Sequence, residues 1–301
     1  MSTVSTGLAP GTASLSQAAA KRARGIFIAP LPWTGYVGLA VLLLYAVAAV
    51  AAPMIAANSP TDVFVGGPFE PPSAMLWLGT DGLGRDVASR FLYGGRTVLS
   101  TACGAAALAT ILGGAVGMVL GLRSGLVDEI GMRLLEIVMS IPSIIFALLV
   151  IGLAGSDHLT VVLTVGLLTV PNVARVIRAA TLTFVAEDFI AAARARGEGL
   201  LSIALRELLP NVAGTLMVEF SIRTGYAVLF IGGLGFLGFG TAPPAPDWGL
   251  MINEGRSSLD SATWPVLAPA LGIAVLVTSV NLLTDALLRS ITPAGRGGGK
   301  A

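Results

Sequence analysis

Few residues in this chain have the type and spacing that reacting chemistry needs. The clearest candidate motif is Gly233 to Gly238, which spells GxGxxG and would cradle a dinucleotide pyrophosphate if it joined a strand to a helix. No strand pattern precedes it and it closes a long apolar run, so that chemistry is excluded. Glu219 and Arg223 stand four apart inside another apolar run, where an acid and a base share one helix face. Each alone costs roughly 2.5 to 3.5 kcal/mol at a bilayer centre, so they need each other or an aqueous lumen. Two readings stay open for them: a structural pair buried between subunits, or a pair lining a translocation path. His158 is the only histidine and Cys103 the only cysteine, so neither a zinc group nor an intrachain disulfide is available. There is no GxSxG, HExxH or GxxxxGK[ST] string and no span carries paired carboxylates. The chain is read as no enzyme, with no catalytic residue, no metal site and no cofactor of its own.

The elements that position these residues follow from composition. Of 301 residues, 54% are apolar and 12% charged, and the mean hydropathy is +0.85, which places the chain among integral membrane proteins. A net charge of +1 without a clustered basic face excludes nucleic acid as a partner. The predicted fold is all-α, with six transmembrane helices. The spans are Tyr36 to Ala57, Thr97 to Leu122, Met132 to Leu153, Leu159 to about Ala180, Val212 to Gly232, and Trp264 to Leu288. The first is roughly 33 Å long as a helix, too long for the core of a secretion signal, and reads as an uncleaved span. Pro142 is expected to kink the third span and Pro171 to interrupt the fourth. His158 is expected in an exposed outer turn, and Arg133 and Glu136 as an ion pair at the interface.

Four domains are expected: residues 1–33 as a disordered cytoplasmic tail, 34–96 as the first span with a segment outside it, 97–289 as the main five-helix unit, and 290–301 as a cytoplasmic tail. Along the second span Ala105, Ala109, Gly113, Gly117 and Gly121 recur every four residues. That bare face lets another helix approach closely, with packing inside this subunit preferred over a subunit interface. The segment before it is punctuated by Gly79, Gly82 and Gly84, and its Arg85 and Arg90 are expected near headgroups. Trp248 and Trp264 are expected in the interfacial aromatic belt, beside a stiff outer loop formed by Pro243, Pro244 and Pro246.

Between the fourth and fifth spans lies the longest polar stretch flanked by apolar ones, Glu187 to Pro210. Glu187 and Asp188 suit a helix start, Arg194 and Arg196 its end, and Gly197 the cap. A second short helix, Leu200 to Leu209, is expected to stop at Pro210, with Leu201, Leu205, Leu208 and Leu209 as one stripe fit for a groove on another protein. Lys21, Arg22, Arg24, Arg123, Arg133, Arg175, Arg178, Arg194, Arg196, Arg206, Arg289, Arg296 and Lys300 fall on the side of this loop and both termini. Arg85, Arg90, Arg96 and Arg256 fall opposite. The positive-inside rule therefore makes the loop cytoplasmic.

Several stretches carry a resemblance. Ala192, Ala193, Gly197 and Leu209-Pro210 are spaced like the "EAA" coupling loop of ABC-importer permeases, with Ala191 at its acidic position and Glu207 at its isoleucine position. The GTDxLGRDVxSR string from Gly79 and RLLEIVMSIPSI from Arg133 resemble the C-type permeases of dipeptide and oligopeptide importers, the DppC/OppC group. So does GGLGFLGFG with TAPPAPDWGLMINEGR, where Ile231 stands at a position commonly Glu. The resemblance implies an ABC type I importer permease fold in a bacterial inner membrane, with both termini cytoplasmic. It implies coupling to an ATPase through Glu187, Asp188, Ala191, Ala192, Ala193, Arg194, Gly197, Leu201, Leu205, Leu209 and Pro210. It also implies a second homologous permease, two cytoplasmic ATPase subunits holding ATP and Mg, and an extracytoplasmic solute-binding protein. Short peptides are the expected cargo, and nickel complexes, opines or sugars the alternative. An ion-coupled carrier is disfavoured because no inverted repeat is visible, and a scaffold without transport would have no use for the loop.

Overall fold

A computed structural model of the chain describes residues 31–242 and 245–291. Most of both expected tails, with Lys21, Arg22, Arg24, Arg296 and Lys300, and the prolines at 243 and 244 lie outside the described residues. The helices are α1 (Trp33–Ile55), α2 (Val87–Leu122), α3 (Leu126–Ser140), α4 (Ser143–Ala154), α5 (His158–Val185), α6 (Asp188–Ala195), α7 (Leu200–Phe236), α8 (Trp248–Gly255) and α9 (Trp264–Ile291). Among the described residues five are long and apolar enough to cross a membrane, and α3 with α4 makes a sixth only as a pair bent by 77°.

Several boundaries move for physical reasons. The first span runs from Trp33 to Ile55. The second begins at Val87 rather than Thr97, because Asp86 caps it there by accepting from the Ala88 amide. The third is broken outright. Pro142 has no N–H and forces Ile141 into an extended conformation, φ −81° and ψ 126°, so the chain turns a corner where a kink was expected. The fourth, α5, passes through Pro171 uninterrupted, and the Thr169 hydroxyl bonds the Val165 and Gly166 carbonyls just before the ring. His158 opens this helix instead of lying in a loop, and its Nδ1 meets Thr101 Oγ1 at 3.0 Å.

The core is built on small residues. Ala105 and Ala109 of α2 are fully buried. Cβ atoms added at Gly113, Gly117 and Gly121 would fall within 2.5 to 2.7 Å of the α5 backbone or side chains. α2 and α5 are therefore packed backbone to backbone, a distance only glycine permits. One buried cluster centres on Val98, Val165, Val228, Leu234 and Trp248, and a second on Ile177, Ile190, Ile203 and Leu208.

Candidate functional site

The polar loop between α5 and α7 folds as an elbow. Glu187 is extended at the helix start, Asp188 sits in the first turn and Arg194 in the last, each opposite in sign to the helix end it faces. Gly197 has φ +77°. Its amide donates to Arg194 O at 2.9 Å and the Glu198 amide to Ala193 O at 3.2 Å, the paired bonds of a Schellman cap. Arg196 bonds Glu198 at 2.6 Å. That guanidinium, with the Ser202 hydroxyl, holds the Glu198 carboxyl below its ordinary range.

Beyond the cap the chain departs from expectation. The second helix does not stop at Pro210: Leu200–Phe236 is one helix, and its stretch Ile203–Leu208 is a π-helix. The wider turn takes up the missing Pro210 N–H, and Asn211 Nδ2 returns to Glu207 O at 2.5 Å. It also shifts the register, so the expected leucine stripe divides. Leu208 is fully buried with Ile190, Ala193 and Ile203, and Leu209 is half-buried. Leu201 and Leu205 stay 73% and 51% exposed. The outward surface is thus Ala191, Ala192, Leu201 and Leu205, bordered by exposed Arg194 and Arg206. Small and apolar at its centre and cationic at its rim, it suits docking against another chain.

Glu219 and Arg223 lie further along α7, away from the elbow. Arg223 Nε donates to Glu219 Oε2 at 3.1 Å, and Glu219 is buried by this chain alone. Arg133 and Glu136 are paired at 3.2 Å on exposed α3.

A second polar assembly was not expected from sequence. Arg85 and Arg90 do not reach headgroups; both are buried. Asp81 accepts from Arg85 Nε at 2.7 Å and Arg90 Nη1 at 2.5 Å, and Glu254 of α8 accepts from Arg85 Nη2 at 2.7 Å and Arg90 Nη1 at 2.8 Å. Burial raises the Asp81 pKa, but the Arg85 and Leu83 amides and both guanidinia outweigh it and hold this carboxyl below its usual range. The cluster walls a cavity of about 370 Å³. The only sequence signal was the density of charge around Asp81; its mate at Glu254 could not be paired from sequence. Trp248 leaves the expected belt, being fully buried, whereas Trp264 is half-buried at the start of α9. Trp248 Nε1 donates to Phe91 O at 2.8 Å over Gly94 and Gly95, and Trp264 Nε1 donates to Thr80 O at 3.1 Å. Among the described residues no group of three or more His, Cys, Asp or Glu could hold a metal ion.

This architecture has relatives. The family described as "Binding-protein-dependent transport system inner membrane component" matches residues 113–293. A glutathione transport system permease protein, GsiD, of Pectobacterium atrosepticum is 35% identical over 224 residues, covering 74% of each chain. A dipeptide transport system permease protein, DppC, of Alkalihalophilus pseudofirmus is 31% identical over 257 residues, 85% of this chain and 84% of that one. A di/tripeptide transport system permease protein, DppC, of Pseudomonas aeruginosa is 32% identical over 262 residues, 85% of this chain and 86% of that one. A chain of the MetNI methionine ABC transporter, in an inward-facing conformation, shares the fold. Its TM-score is 0.57 at 20% identity, over 68% of this chain and 97% of that one. The chain belongs to this family: it is a membrane-embedded permease subunit of an ABC importer, and ATP hydrolysis resides in separate subunits.

Proposed function

We propose that this permease subunit carries short peptides across a bacterial inner membrane, driven from its elbow by ATP turnover in partner chains. The complex holds a second related permease, two cytoplasmic ATPase subunits that bind ATP and Mg, and an extracytoplasmic binding protein that selects the cargo. Peptide cargo is supported by the relatives, whose names specify dipeptides, di- and tripeptides, and glutathione. The elbow faces the cytoplasm with both termini, as the distribution of Lys and Arg favours. Residues 97–289 form the conducting unit, and 34–96 add a span and an outer segment.

The observation that carries the coupling role is the continuity of the elbow with α7. Ala191, Ala192, Leu201 and Leu205 present the docking face. Glu187, Asp188, Arg194 and Gly197 fix the shape of α6, Ala193 anchors it to the core, and Leu209 and Pro210 carry the chain on into the span. A push on α6 therefore moves a helix that contains Glu219 and Arg223, and opening and closing the bundle is a rigid-body consequence.

Two measurements test this. Purification of the tagged chain from its native membrane is expected to bring down an ATPase in stoichiometric amount. Gly197→Pro cannot adopt φ +77° and loses the amide bonded to Arg194. It is expected to insert normally and to abolish ATP-driven peptide uptake in proteoliposomes. Uptake at the native rate by that variant would remove the elbow from the mechanism.

A further inference from the structure

The chain has four tryptophans, and the structure divides them into two pairs. Trp248 and Trp264 spend their indole N–H groups on backbone carbonyls inside the protein. Trp33 and Trp77 are 76% and 66% exposed. Trp33 is the first residue of α1, whose 23 residues span roughly 34 Å, close to the thickness of the hydrocarbon core. α1 is the least buried of the five long spanning helices, and Leu44, Val47, Val50 and Met54 lie exposed along it. Trp77 is found at its far end. With Met75 it lines a small cleft against Ile55, Ala57 and Leu92, where α1 stops and α2 begins.

The turn that carries Trp77 is built to hold it there. The Ser73 amide donates to Leu76 O at 2.8 Å and the Leu76 amide to Ser73 Oγ at 3.1 Å. Leu76 is buried beneath the turn, while Met75 is left 86% exposed. Residues 71–80 contain no charged side chain, although the rest of the outer segment is rich in them. An indole has an apolar body and one N–H donor, which favours the headgroup boundary over both water and acyl chains.

We infer that the turn from Ser73 to Leu78 is a membrane anchor, with the Trp77 indole at headgroup level and Met75 reaching the acyl chains. Its partner is the phospholipid surface. The exposed turn continues the apolar face of α1, and the exposed indoles of Trp33 and Trp77 bracket that helix one hydrocarbon thickness apart. Trp33 and Trp77 thus take the kind of interfacial place that sequence assigned to the buried Trp248, and the outer segment lies against the bilayer.

The test places a nitroxide at residue 77, as Trp77→Cys in a Cys103→Ser chain assembled with cysteine-free partner subunits. The complex is placed in nanodiscs of phosphatidylethanolamine and phosphatidylglycerol. Collision with oxygen relative to a water-soluble nickel chelate is expected to be several-fold higher at residue 77 than at Phe64, which is exposed on the same outer segment. High nickel accessibility at residue 77 would show bare water and overturn the anchor. Low accessibility to both reagents would show a covering protein chain and overturn it equally. Met75→Cys carries the same readout should the Trp77 variant fail to assemble.

Discussion

Arg90 Nη1 lies 2.8 Å from Glu254 Oε2, tying the first turn of α2 to α8 across 164 positions of sequence. The same nitrogen serves Asp81, while Arg90 Nε and Nη2 are buried with no hydrogen-bond partner among the described residues. Removing one member of a buried charge cluster costs more than the cluster is worth, because the others are left unpaired. Arg90→Met is expected to lower stability by about 3 kcal/mol, the low end for buried pairs because Arg85 remains. Glu254→Gln is expected to cost less, since Asp81 still holds Arg90. Thermal unfolding of the purified complex reads both, and equal losses would contradict this ranking.

Asp247 gives a pH dependence. It is fully buried, its Oδ1 accepts from the Leu250 amide at 3.0 Å, and its Oδ2 has no hydrogen-bond partner among the described residues. Burial pushes its carboxyl pKa upward, and the Leu250 and Gly249 amides offset that only in part. A raised carboxyl pKa means the folded chain holds this proton more firmly than the unfolded one. Stability from this group is therefore present in acid and falls as pH climbs from the ordinary carboxylate value of 3.8 through the folded one. Asp247→Asn keeps the acceptor for Leu250 and removes the charge. Its unfolding midpoint is expected to lose that slope and to exceed the native midpoint at neutral pH. An unchanged slope would assign the pH dependence elsewhere.

Gly117 tests the closeness of α2 and α5. A Cβ there would lie 2.5 Å from Ala174 O and 2.9 Å from Arg178 N, both backbone atoms that cannot swing aside. Gly117→Ala is expected to destabilise by about 1 to 3 kcal/mol, as overpacking does, and to reduce the yield of folded protein. Gly233→Ala meets nothing within 4 Å among the described residues and is expected to fold in native yield.

Glu219 and Arg223 are tested as a pair. Glu219→Leu strands the Arg223 guanidinium, which costs about 3 to 5 kcal/mol when a partner is lost in a buried pair. Adding Arg223→Leu removes the stranded charge. The double variant is expected to assemble in higher yield than the single one, and equal yields would show that the two side chains act independently.

Sequence legibility was uneven along the chain. The small-residue face of α2, the Gly197 cap and the Glu219–Arg223 spacing were readable because each rests on local periodicity or on one residue's conformational range. The break at Ile141–Pro142 was half readable: proline marks the place, but whether a helix kinks or parts depends on what packs around it. The passage of α7 through Pro210 was not readable, since a π turn leaves no compositional mark. The Asp81, Arg85, Arg90 and Glu254 cluster was hidden for another reason. Its members come from segments far apart in sequence, and single charges near a span look the same whether they face headgroups or one another. Trp248 failed likewise, because an indole N–H is equally served by lipid and by a buried carbonyl.

The unbroken run from Leu200 to Phe236 is 37 residues, roughly 55 Å as a helix. Beyond the π turn at Ile203–Leu208 the helix is continuous to Phe236 and offers no second place to dissipate a displacement. Its far end reaches Gly235, whose Cα packs against Gly249 at the start of α8. Under the coupling proposed above, the two faces of the membrane are geared to each other, less whatever slack the loosened coil at Ile203–Leu208 takes up.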